Sequence, residues 1–204
     1  MTALPLQSIS DEDLAELSED LMNSGEFADW FGDSVVRDGQ GRPLLCYHGT
    51  VHDFDVLDPA MCGGGIHFGT LMQANNRLFG SDLDNPPRRS GARLIPAFIR
   101  SANPKRMKEQ DSWSESQLVA AAKRGHDSIV YLNRREGIPF DRFCELRDNG
   151  WMTGFGWPKI QKLSDSAFLE LVPEAQDSYI VFEADQILPM DRAMEMAGRP
   201  RHGL

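Results

Sequence analysis

The stretch Leu45-Cys46-Tyr47-His48-Gly49-Thr50 decides how this chain is read. Together with Leu44 it is a short apolar run without helical period, which predicts a buried strand. Cys46 and His48 stand two apart and so share one face of that strand. The strand ends on His48, a residue able to donate and accept. Gly49 follows, where bare backbone can be approached closely, and then Thr50. Two more short strands carry polar residues at comparable places. One is Ile66-His67-Phe68, behind the glycine run Gly63-Gly64-Gly65. The other is Tyr179-Ile180-Val181-Phe182, entered through Asp177-Ser178.

Helical patterns alternate irregularly with these strands. Ser10 reads as an N-cap with Asp11, Glu12 and Asp13 near the positive end of the helix dipole. Leu14, Leu17 and Leu21 then give one apolar stripe. Glu26 to Phe31 reads as a short second helix, and Arg37 to Pro43 as a turn. Thr70 caps a helix over Leu71 to Leu78. Leu94 to Ile99 reads as a strand in which Pro96 points to an edge or a bulge. Ser112 or Ser114 caps a helix ended by Gly125, and Ser128 to Leu132 is a strand. Residues 134–172 read as mixed. Short strands and short helices without a βαβ rhythm predict an α+β fold. The glycine run precedes a strand, the wrong context for a nucleotide-binding glycine fingerprint.

The 204 residues suit one ordinary domain, with 41% apolar and 25% charged residues. The net charge of −10 is concentrated at one end: residues 1–36 carry nine acids and no Lys or Arg. An acidic helical N-terminal extension over residues 1–25, followed by one domain over 26–204, is the expected organisation. The acidic helix is a candidate docking surface, or a solubility feature. No apolar run is long enough for a membrane span, and no secretory signal is visible. Three cysteines do not make a disulfide framework. The spacing of Cys46, His48, His52, Cys62 and His67 matches no compact zinc pattern, so no metal is expected. These features point to a cytoplasmic protein, or one delivered into a target cell without a classical signal peptide.

In their order and spacing, Leu45 to Thr50, Gly64 to Phe68 and Asp177 to Phe182 with Gln186-Ile187 resemble the ADP-ribosyltransferase superfamily. The likeness is to its diphtheria-toxin and poly-ADP-ribose-polymerase side, and to the small transferase domains of phage and bacterial polyvalent proteins. Trp30 to Ser34, Asp38-Gly39, the Phe54-Asp55-Asp58 loop, Asn103-Pro104 and Gly125 to Val130 also fit. The resemblance covers roughly residues 26–190. It implies a split β-sandwich with peripheral helices and NAD as co-substrate. It implies that His48 bonds the adenosine ribose, that the Gly49 backbone meets the nicotinamide amide, and that His67 packs on the nicotinamide. Thr50 and Gly65 border the same site, and Phe79 covers the ring's other side unless that role is absent at Leu78. The third motif falls on Ser178, and the Trp151 to Trp157 segment contributes to acceptor recognition.

Two positions depart from the usual pattern. His67 stands where tyrosine is usual, and Ser178 where glutamate is usual. Serine can bond a ribose hydroxyl but offsets no developing cation. Asp177, Glu174 or Glu183 is a candidate substitute; Asp177 falls on the opposite face from Ser178 if the strand is regular there. The expected activity is mono-ADP-ribosylation of a macromolecule, with a protein the first expectation, by a bacterial or phage effector or toxin. A histidine in the second motif also resembles RNA 2′-phosphotransferases, which keeps a nucleic-acid phosphate or base open as acceptor. Arg88, Arg89, Arg93, Arg100, Lys105, Arg106 and Lys108 could form a phosphate-binding patch for it. A silent NAD- or ADP-ribose-binding interaction module is the third alternative.

Overall fold

The computed structural model describes residues 9–52, 57–79, 91–110, 112–151 and 158–199. Its first helix, α1 (Asp11–Asn23), starts where Ser10 Oγ accepts the Asp13 N–H at 3.1 Å. Leu17 and Leu21 on its apolar stripe are fully buried. They pack with Phe27 and Phe31 of α2 (Gly25–Phe31) in one cluster that also holds Leu45, Phe98, Leu188, Met190 and Ala193. The acidic helix is therefore packed into the fold along its apolar face.

Seven strands form two sheets among the described residues. β1 (Leu45–Thr50), β3 (Arg93–Ile99) and β7 (Ile187–Pro189) make an antiparallel sheet in the order β1-β3-β7. β2 (Ile66–Phe68), β6 (Asp177–Val181), β5 (Ser128–Leu132) and β4 (Pro104–Arg106) make the other, in the order β2-β6-β5-β4 with β4 parallel to β5. Alternate residues of both sheets meet in the layer between them: Cys46, Ile66, Phe68, Ala97, Ile99, Val130, Tyr179 and Val181. This is the split sandwich and the α+β class expected above.

Helices cover the outer faces. α8 (Met190–Met196) joins α1 and α2 over the first sheet. α4 (Glu115–Ala122) lays Leu118 and Ala121 on Ile129, Tyr131 and Ile180 of the second. Its N-cap is Ser114, closed by a reciprocal bond with Gln117. α3 (Leu71–Phe79) leads out of β2, with Thr70 Oγ1 taking the Gln73 N–H and Gln73 Oε1 taking the Thr70 N–H. The stretch read as mixed holds three helices, α5 (Phe140–Asp148), α6 (Pro158–Lys162) and α7 (Asp165–Leu171). They enclose Ile138, Leu146, Ile160, Phe168 and Val172 beyond the end of β5. Buried Arg134 ties α6 to α7, donating to the Ile160 and Leu163 carbonyls at 2.9 Å and to Asp165 at 2.6 Å.

Pro96 was expected on an edge strand or at a bulge, but β3 is the central strand of its sheet and its register is unbroken. Pro96 lies opposite Tyr47, whose own N–H and C=O turn away toward Gly69, so β1 asks nothing of residue 96. On its other side, β7 pairs only with Ala97, Phe98 and Ile99. A residue without an N–H therefore costs no ladder bond there.

Candidate active site

The two sheets touch at one bridge, where Tyr47 N donates to Gly69 O at 2.8 Å and Gly69 N to Tyr47 O at 3.1 Å. Past that bridge they part. In an antiparallel ladder, backbone groups of successive residues point to alternate sides. His48 therefore bonds back into β3 opposite Ile95, while the Gly49 N–H and C=O face the opening. Across it, the backbone of His67 faces β1 by the same alternation, because Phe68 and Ile66 pair with β6.

His48 closes the root of this opening. Its Nδ1 lies 2.8 Å from the His67 carbonyl oxygen. A carbonyl only accepts, so Nδ1 carries the proton and Nε2 keeps a lone pair. Among the described residues no partner takes Nε2. Burial lowers the pKa of His48 below its ordinary value, the bond to His67 opposes this, and the Arg77 and Arg93 charges add to it. The ring is neutral at pH 7.

Gly49 is required for a reason the sequence does not show. A β-carbon there would meet the Ala74 carbonyl oxygen at 2.6 Å and Leu78 Cγ at 3.1 Å, so α3 packs where a side chain would stand. Leu78 is buried in that contact, and the Phe79 side chain lies outside the described residues. Thr50 is buried, its hydroxyl taking the His52 N–H at 3.1 Å. Gly65 lies against Ile180 and Leu118, a packing position at the entry to β2.

His67 projects from the outer face of β2, solvent-exposed at the edge of the opening. Its Nδ1 is 3.2 Å from the Tyr131 hydroxyl, and the two rings meet edge to face. The protein crowded around it, then the Arg77 and His48 charges, hold its pKa below the ordinary histidine value. Register puts Ser178 on this same face, opposite Tyr131. It lies beneath Gly69, 2% exposed. Its hydroxyl donates to Gln73 Oε1 at 2.9 Å and accepts from Asn133 Nδ2 at 2.9 Å. The structure thus gives Ser178 a buried tie between α3 and the end of β5. Ser178→Ala leaves two buried amides short of a partner and is expected to cost about 1–3 kcal/mol, read as a lower midpoint in urea unfolding.

The candidate substitutes for the missing glutamate are placed elsewhere. Asp177 is on the opposite face of β6 and accepts from Arg106 at 2.6 Å, a cation that also reaches Asp165 at 3.1 Å. Glu174 pairs with Arg142 at 2.8 Å. Glu183 closes a cap with Gln186 in the turn before β7. Arg100 is taken by Asp185 at 3.1 Å and Arg93 reaches the His52 carbonyl, so these two and Arg106 are engaged within the fold. Asp58 caps a short turn through the Ala60 N–H. Phe54, Asp55, Arg88, Arg89, Gly154, Gly156 and Trp157 lie outside the described residues.

Several residues at the opening carry no signal in the sequence. Asn133 Oδ1 accepts the N–H groups of Arg135 at 3.1 Å and Glu136 at 2.8 Å. Asn76 Nδ2 donates to the Glu136 carbonyl at 2.8 Å, and Arg77 Nη1 lies 3.6 Å from the Glu136 carboxylate. Glu109 accepts the Arg134 N–H at 2.7 Å; burial first, with the Glu136 charge adding to it, pushes its pKa up to about 7. Nearby, Thr70 was readable as the cap of α3.

A separate shallow concavity of about 510 Å³, lined by Trp30, Arg100, His126, Asp127 and Asp185, lies away from His48 and His67. This concavity does not coincide with the sheet split.

The family described as ADP-ribosyltransferase in polyvalent proteins matches residues 38–193, which contain every residue of this opening. No curated protein and no solved structure matches the chain.

Proposed function

This chain belongs to the ADP-ribosyltransferases of polyvalent proteins, and from that membership we propose that it transfers ADP-ribose from NAD to a protein acceptor. The observation that carries the proposal is the split at Gly49. An N–H and a C=O that face the same side of an extended strand complement a primary carboxamide, which accepts from one and donates to the other. The nicotinamide end of NAD is such a group. Beside it, the neutral His48 offers Nε2 as an acceptor for a ribose hydroxyl, held in place by the His67 carbonyl. The exposed His67 ring would flank the nicotinamide.

In this reading the glycosidic bond between the nicotinamide nitrogen and the ribose C1′ breaks ahead of attack. The protein binds and orients both ends of that bond, and this positioning is its main contribution. The polyvalent-protein family supports a bacterial or phage setting, with the enzyme acting as an effector on a target cell. Among the described residues no helix is long and apolar enough to cross a membrane. A nucleic-acid acceptor is the second reading, favoured by His67 in place of tyrosine and weakened by the engagement of Arg100 and Arg106 within the fold.

The test is NAD labelled in its adenylate phosphate, incubated with the protein and with separated protein and RNA fractions of a bacterial lysate. Label fixed to protein is the expected outcome. Label fixed to RNA replaces the acceptor class, and absence of both labelling and NAD binding overturns the transferase reading.

A further inference from the structure

Bond cleavage of this kind builds positive charge on the ribose, and Ser178 brings none of the opposite sign to it. Asp177, Glu174 and Glu183 are all committed elsewhere. Among the described residues at the opening two carboxylates remain, Glu109 and Glu136, and Glu109 is already bound to the Arg134 N–H. We propose that Glu136, on the turn that follows β5, supplies the carboxylate of the reaction, with Arg77 as its partner before substrate enters.

The proposal rests on the transferase reading above and on the placement of this turn. β5 is antiparallel to β6, so its end at Leu132 lies beside Asp177, at the start of β6. The turn therefore leaves the sheet next to position 178, and α3 covers it. Asn76 holds the Glu136 carbonyl, Gln73 lies against Gly137, and Arg77 faces the Glu136 side chain. The Arg77 charge acts on both His48 and His67, and that of Glu136 on Tyr131, the hydrogen-bond partner of His67. Arg77 and Tyr131 thus link Glu136 to the two histidines.

The turn is also held rigidly. Asn133 accepts the Glu136 N–H while its amide donates to Ser178. Ser178 accordingly acts as a positioning residue, fixing the turn on which the carboxylate stands. Gly137 cannot carry a side chain without striking the Asn133 carbonyl. The Glu136 side chain is only 19% exposed, yet its contact with Arg77 is long at 3.6 Å and Arg77 itself is 74% exposed. A loose pair of this kind exchanges partners readily.

The step balances as follows. The C1′–N bond breaks and its electron pair leaves with nicotinamide, whose ring nitrogen becomes neutral. The positive charge passes to C1′ and the ribose ring oxygen, opposite the Glu136 carboxylate. The acceptor's lone pair then forms the new bond to C1′, and the acceptor's proton goes to Glu136 and on to solvent.

Glu136→Gln keeps the residue's own N–H and C=O, through which the turn is held, so the variant is expected to fold. Nicotinamide release is expected to fall about 100- to 1000-fold in kcat, with NAD affinity by calorimetry unchanged, and Glu136→Asp is expected to recover part of the rate. A Glu136→Gln protein with wild-type kcat, beside a His48→Ala protein that has lost it, overturns the role of Glu136 and leaves the transferase reading standing. A wild-type chain that neither cleaves nor binds NAD overturns both.

Discussion

His48→Ala is expected to lower nicotinamide release from NAD by about a hundredfold or more, the usual effect of removing one preorganised polar group from a reacting site. Two functions go at once. Nε2 no longer accepts from the ribose, and Nδ1 no longer holds the His67 carbonyl at the root of the split. His48→Gln separates them, because an amide can donate to that carbonyl and still accept with its oxygen; it is expected to recover part of the loss. The pH profile gives an independent reading. Burial, with Arg77 and Arg93, places the His48 pKa below its ordinary 6.5, so the accepting form dominates at pH 7 and activity declines on the acid side. The same shift lowers stability in acid. Below pH 6.5 the unfolded chain binds the proton more readily than the folded one, so stability falls from there down through the lowered folded pKa. A rate that rises on acidification would contradict the assigned tautomer.

Phe27→Ala is expected to cost about 3–5 kcal/mol, much of the stability of an ordinary domain. Phe27 is fully buried, with Trp30, Phe31 and Phe98 rings at 5.6, 5.3 and 5.7 Å. Phe98 sits on the central strand β3, one residue from the inner layer, so this cluster is continuous with the sandwich. The test bears on organisation, since Phe27 precedes the segment matched by the family. Urea unfolding should show one transition at a lower midpoint with an unchanged slope. A loss below about 1 kcal/mol, less than any full cavity in a core, would make α1 and α2 a peripheral addition.

Elements whose signal is local were readable from the residues alone. The Ser10 and Ser114 caps, the leucine stripe of α1 and the apolar runs of β1, β3, β5 and β6 all announce themselves over a few positions. β4 does not, because Pro104-Lys105-Arg106 is a polar edge strand with no alternation to detect. The pair α6 and α7 is held by Arg134, whose buried guanidinium organises carbonyls up to 29 residues away. Nothing in the stretch itself reports that.

The site divides the same way. His48 and His67 were paired through the order of their motifs, and the structure joins them by one hydrogen bond. The fates of Ser178 and Asp177 depended on register and on partners far along the chain: Asn133 and Gln73 for one, Arg106 for the other. Gly49 looked like room for a ligand and proved to be room for α3 on one side. Glu136 was silent because its partners on α3, Asn76 and Arg77, lie about 60 residues away along the chain.

In the proposed function the backbone and histidines at the sheet split hold NAD for cleavage. This is tested most directly by measuring free nicotinamide from NAD with the purified chain, supplied with a lysate protein fraction as acceptor. Nicotinamide release that depends on the protein and is lost in His48→Ala is the expected result. An NAD pool that stays intact, together with no heat of NAD binding, would contradict it.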